Sequence, residues 1–266
     1  MKRKLCFHFV RSCSSGGVGF AMSDKRVQTP DHRLRLAAAD RRDRIRTWQE
    51  RIRDPALTVL LALNLCTIFF AVPLAARGLP LAKTVAEALV LAVLVIVVML
   101  SHRPGAIVAI LFGAAAIEAS EWFGTGWPQA VAIALRGGGN IIAFSALTWV
   151  VGHAVYAGGR ITSHRLQGAA VVYLNLATIF ASAYGLIWQL QPDAFANLHT
   201  PSGDPLGIAE MMYFSLATLT TTGYGDIVAV DPFARSLANL ESVLGVFYIA
   251  ITVARLVTLE TENRRR

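Results

Sequence analysis

Apolar residues run through this chain in long blocks separated by short polar breaks, a spacing too long for strands and close to what crosses a hydrocarbon core of about 30 Å. Six such blocks stand at 55–76, 81–100, 105–119, a fourth ending near Tyr156, 166–190 and 233–259. A seventh, 206–219, is too short to cross and predicts a half-crossing helix with Pro205 near its first turn. The third block is short. The fourth is interrupted by Arg136-Gly137-Gly138-Gly139-Asn140, which places 128–135 at the outer surface and the crossing at 141–156. The pattern predicts an all-α membrane protein with six transmembrane helices and one re-entrant helix.

Composition agrees: 55% of residues are hydrophobic and 16% are charged, against about 25% charged in soluble domains. Charge is distributed unevenly. The first 54 residues hold 14 Lys and Arg against 6 Asp and Glu, so the whole net charge of +8 sits there and the other 212 residues are neutral. A basic leader stays in the cytoplasm, and six crossings return the basic end Asn263-Arg264-Arg265-Arg266 to the same side. His102-Arg103 and the segment 160–165 then fall inside, while Glu118, Glu121, Asp193, Asp204, Trp122, Trp127 and Trp188 fall outside. Three divisions are predicted: a basic cytoplasmic segment 1–54, a four-helix membrane domain 55–160, and a domain 161–266 built on the last two crossings.

Within the leader, Asp31 followed by Leu34, Ala38, Ile45, Trp48 and Ile52 forms one amphipathic stripe with arginines between. It reads as a basic face on anionic lipid headgroups. Nucleic-acid binding is the other reading, but the segment is too short to fold alone and has no binding motif, so no nucleic-acid partner is expected. Residues 1–21 lack the apolar core of a signal peptide, and Met22 is a sensible translation start. Cys6, Cys13 and Cys66 show no metal-ligand spacing, and His199 reads as a loop histidine or as a pH sensor. Phosphate-binding loops, catalytic triads and paired carboxylates are absent from the sequence, so an enzyme is not expected and no cofactor is implied.

The segment Thr220-Thr221-Thr222-Gly223-Tyr224-Gly225-Asp226, between the half-crossing helix and the last crossing, carries the most specific chemistry. Successive carbonyls of an ordinary strand point to opposite sides. Aligning them on one axis requires left-handed φ at alternate residues, which glycine adopts without a Cβ penalty, and Gly223 and Gly225 alternate. A row of oxygens from Thr221, Thr222, Gly223 and Tyr224, with the Thr221 hydroxyl at its inner end, could then replace the water shell of a bare cation. Tyr224 would turn its ring outward and brace the strand. The competing reading is a glycine-rich turn at a helix end.

These residues resemble the potassium channel family, whose filter pattern Thr-Val-Gly-Tyr-Gly is the standard example of carbonyl-based selectivity. Thr222 stands where Val is usual. The run 212–220 is similar to that family's pore helix. The resemblance is strongest over 166–259 and weak over the first four crossings. It implies a six-span, bacterial-type channel with one filter per chain, the bacterial inner membrane as location, K+ as permeant ion, and a homotetramer, since four strands are needed to ring the ion. It further implies that Asp226 hydrogen-bonds to an aromatic residue of the pore helix, for which Tyr213 has the spacing. Ala217 stands where some relatives have a Glu partner. Gly245, 20 residues after Gly225, matches the family's hinge position, with close helix packing as the other reading. Val253, Ala254 and Val257 match its inner constriction, and Glu241 is a buried carboxylate expected to hold a packing hydrogen bond.

Voltage sensing needs several arginines on the fourth crossing, where Arg136 stands alone, so the first four crossings resemble a degenerate sensor domain. With a short tail after Leu259, no ligand-gating domain is expected in the chain. Three functions compete: a potassium-selective channel, a potassium transporter subunit, and a non-conducting membrane sensor or anchor.

Overall fold

The computed structural model describes residues 56–264 apart from 79, 102–103, 124–125, 127, 157–162 and 199–204. The expectations for the basic leader, Met22, Cys6, Cys13 and His199 lie outside the described residues. Helix α1 spans Ala56–Ala76, α2 Pro80–Leu100, α3 Pro104–Phe123, α4 Gln129–Tyr156, α5 Ser163–Leu190, α6 Pro205–Leu219 and α7 Pro232–Arg264. Two-residue strands, β1 Phe195–Ala196 and β2 Val228–Ala229, pair antiparallel on either side of α6. Among the described residues, α1, α4, α5 and α7 are long and apolar enough to cross a membrane; the apolar parts of α2 and α3, Thr84–Val98 and Pro104–Ser120, are shorter.

Helix α4 corrects the expected break. It runs without interruption through Arg136-Gly137-Gly138-Gly139-Asn140. The reason is packing: a Cβ on Gly113 would stand 2.6 Å from the Gly139 carbonyl oxygen, and one on Gly139 would stand 2.8 Å from that of Gly113. Bare backbones let α3 and α4 approach more closely than any side chain permits, the usual way membrane helices gain contact where lipid is as apolar as the interface. Arg136, itself exposed, borders a cavity of about 200 Å³ that it shares with Asn140, Gln189 and Met211. Helix α3 is also longer than its apolar block, continuing past Ala119 to Phe123, with Ser120 Oγ donating to Ile117 O at 2.7 Å.

The backbone of α1 widens to a π-turn over Thr67–Ala71, immediately before Pro73, whose missing N–H cannot continue the regular ladder. Two cores result. One joins α1, α2, α4 and α5 through Leu57, Leu60, Val97, Leu147, Val151 and Val171. Asn64 adds a polar link, donating to Asn175 Oδ1 at 2.9 Å where both are buried. The second core is aromatic: Phe180, Tyr184, Trp188, Phe195 and Phe214 join α5, α6 and β1. Trp188, expected on the outer side, lies in this core, its ring against Gly207 in the first turn of α6.

Candidate functional site

Helix α6 ends where its backbone changes hand. Left-handed φ values occur at Thr221 (56°), Gly223 (54°) and Gly225 (79°), so the alternation begins one motif step earlier than the glycines alone indicate. A β-branched residue in that region carries strain of about 1–3 kcal/mol. Such strain persists only where its surroundings over-determine it. Here Thr222 N and Gly223 N both donate to Ala217 O, at 2.8 and 3.1 Å, and Thr221 N donates to Thr218 O at 2.9 Å. In a trans peptide the N–H and the preceding C=O point in opposite directions. The two N–H groups turned back toward α6 therefore turn the carbonyls of Thr221 and Thr222 away from it, to the same side, on a surface exposed in the single chain.

The last turn of α6 is held on all sides. Leu216 O accepts from Thr220 N and Thr220 Oγ1, Thr218 O from Ser242 Oγ at 3.3 Å, and Leu219 O from Tyr173 Oη at 3.1 Å. All four terminal carbonyls, usually orphaned at a helix end, thus have partners. Gly245 of α7 lies against the same turn: a Cβ there would stand 2.2 Å from Leu219 O. The glycine has a packing reason, and α7 runs through it unbroken. The Thr222 hydroxyl, where the family has Val, lies 2.9 Å from Thr220 Oγ1; because Thr220 Oγ1 already donates to Leu216 O, Thr222 donates to it. That hydroxyl is tied back toward the helix.

Beyond the alternating residues, Tyr213 Oη donates to Asp226 Oδ2 at 2.7 Å, and Asp226 Oδ1 accepts from Ile227 N at 3.0 Å. The Tyr224 ring stacks on Tyr213, centroids 5.8 Å apart and 9° from parallel. Tyr224 remains 69% exposed in the single chain. The exit is fixed by the β1–β2 pairing of Phe195 with Ala229 and by an N-cap: Asp231 Oδ2 accepts from Phe233 N and Ala234 N at 2.8 and 3.1 Å, with Pro232 at the first helical position. The Asp-Pro pair was a legible cap signal that the motif overshadowed.

Two further groups sit outside the motif. Glu241 is fully buried, with Tyr184 Oη 2.6 Å from Oε2 and Ser215 Oγ 2.5 Å from Oε1, so one carboxyl of α7 touches both α5 and α6. Nearer the end of α7, Val253, Ala254 and Val257 are exposed, Val257 by 60%, and stand on one stripe. Thr252 and Arg255, between and beside them, grip the end of α4. Thr252 Oγ1 is 2.9 Å from Tyr156 Oη, while the Arg255 guanidinium donates to Tyr156 O at 2.6 Å and lies 5.1 Å from the Tyr156 ring centre. Sequence reasoning singled out neither residue.

A family model falls on this region. Residues 169–262, from α5 to α7, match the family model described as an ion channel. The chain is similar to the potassium voltage-gated channel protein shk-1 of Caenorhabditis elegans, 32% identical over 79 residues, which is 30% of this chain and 15% of that protein. The chain thus covers about 15% of the length of this curated relative. No solved structure matches the chain. The family model matched over α5 to α7 is an ion-channel one, and the similar relative is, by its name, a potassium channel.

Proposed function

We propose that this chain is one subunit of a potassium-selective channel, a homotetramer in which the carbonyls of Thr221, Thr222, Gly223 and Tyr224 from four chains replace the hydration shell of K+. The observation that carries the reading is the left-handed alternation at Thr221, Gly223 and Gly225, combined with the two N–H groups tethered to Ala217 O. It supplies what a strand of ordinary residues lacks, a row of oxygens facing one way. Four copies are required because one strand covers one side of the ion. Exposure supports this: only 17% of the apolar window of α7 is buried within the chain, against 44% of that of α5, which leaves α7 to line a pore and meet neighbouring copies.

Six crossings, with the filter facing outward and both termini in the cytoplasm of a bacterial inner membrane, complete the proposal. The C-terminal end of α6 directs its negative dipole toward the side where a cation would wait in mid-membrane. Asp226 and Tyr213 support the strand, Gly245 sets the approach of the inner helix, and Val253, Ala254 and Val257 form an apolar constriction that gates by dewetting. The test is flux from purified protein in liposomes. K+ should pass and Na+ should not, barium should block, and cross-linking should trap a tetramer; equal Na+ flux overturns the reading.

A further inference from the structure

At the junction of α5, α6 and α7 the hydrogens do not add up for an ionised carboxylate. Ser215 Oγ lies 2.8 Å from Ala177 O and 2.5 Å from Glu241 Oε1. A serine hydroxyl carries one hydrogen, whereas a main-chain carbonyl and an ionised carboxylate only accept. One hydrogen cannot serve both contacts. With Ser215 and Glu241 both at 0% exposure, no bulk water relieves the oxygen left facing another oxygen.

A neutral acid removes the conflict. The Tyr184 hydroxyl donates to Oε2, the acid O–H on Oε1 donates to Ser215 Oγ, and Ser215 donates to Ala177 O, so every oxygen in the chain is satisfied. We propose that Glu241 is carried as a neutral carboxylic acid and is a positioning residue for the filter, its proton joining the inner helix to the pore helix. The titratable groups facing it are Tyr184 and Tyr173, both from α5. Helix α6 offers the Ser215 hydroxyl, and among the described residues no cation acts on Glu241.

The link reaches the filter in one step. Ala217, two residues beyond Ser215, supplies the carbonyl that holds Thr222 N and Gly223 N. Withdrawing the proton puts a charge among oxygens that only accept, and α6 relaxes away from α7 at Ser215. The tether at Ala217 moves with it. The inference rests on the reading of 220–226 as the filter, and it makes that filter sensitive to alkaline pH from behind.

The experiment uses the full chain in liposomes and has two readouts. Infrared spectroscopy with 13C-labelled glutamate should show, at neutral pH, a protonated carboxyl band that is lost in Glu241→Gln. No protonated glutamate band in the wild type, a result that needs no variant, overturns the proposal. The second readout is K+ flux and K+-over-Na+ ratio against pH. Wild-type flux and selectivity should fall as pH rises, while E241Q, whose amide donates to Ser215 and whose carbonyl accepts from Tyr184, should stay selective and lose that dependence. Ser215→Ala, which removes the relay, should lower the ratio about tenfold, the weight of one buried hydrogen bond. An E241Q profile identical to wild type overturns the proposal. A wild type that fails to select K+ at any pH sinks the filter reading instead, and the infrared band still decides the proton.

Discussion

The three helices α5, α6 and α7 and the four before them are built on different demands. Among the first four, the contacts that hold them to one another are largely apolar and small: Gly113 against Gly139, and Leu57 and Leu60 in one core with Val97, Leu147 and Val151. Many sequences satisfy such an interface. From α5 to α7, named polar groups meet at single atoms, with Ala217 O holding two N–H groups and Asp226 holding Tyr213. The recognisable similarity begins at residue 169, inside α5, and runs into α7. On the proposed function this region must place backbone oxygens, a demand that few residue types meet, whereas filling space between helices can be met by many.

Substitutions should separate the two regions. The largest effect is expected from Gly225→Ala, at φ 79°. A Cβ in the left-handed region costs about 1–2 kcal/mol per strand, so four strands together should lower selective K+ flux about a thousandfold or more, while the protein still assembles. Next is Val257→Asp, which wets the apolar constriction and should raise basal flux severalfold without changing the K+-over-Na+ ratio; unchanged flux from assembled protein removes the gate from these residues. In the other region, Gly139→Leu should destabilise the purified protein by about 1–3 kcal/mol in thermal unfolding and leave the K+-over-Na+ ratio of the surviving protein intact. An altered ratio would show that the two regions are not separable. The smallest effect is expected from Tyr213→Phe, which removes one hydrogen bond at the outer mouth and should speed loss of current about threefold to tenfold during sustained flux.

What could be read from the sequence follows the same division. The apolar blocks, the short helix before the motif and the left-handed glycines at 223 and 225 were legible because each depends on local composition or on a residue type with one special property. The continuity of α4 was not: Arg136 followed by three glycines reads as a break when taken alone, and only their partners, the Gly113 backbone for Gly139 and Leu186 for Gly137, give two of those glycines a packing use. Thr221 was missed as a left-handed residue because its own type disfavours it; the tether of the following residues to Ala217 imposes it. Tyr156, Thr252 and Arg255 carry no motif, and a contact between positions 99 residues apart leaves no trace in a single sequence. Glu241 was visible as a buried carboxylate, but its partners Ser215 and Tyr184 were not, since neither residue type marks a site by itself.

The central claim is that main-chain oxygens of four chains hold the ion, and ion density tests it most directly. A structure of the assembled protein in Rb+, with the ion located by anomalous scattering, should show a line of ions on a fourfold axis, ligated by the carbonyls of Thr221, Thr222, Gly223 and Tyr224. Rb+ held by side chains or lying off such an axis, or an axis without Rb+ in an assembled and conducting protein, would contradict the account.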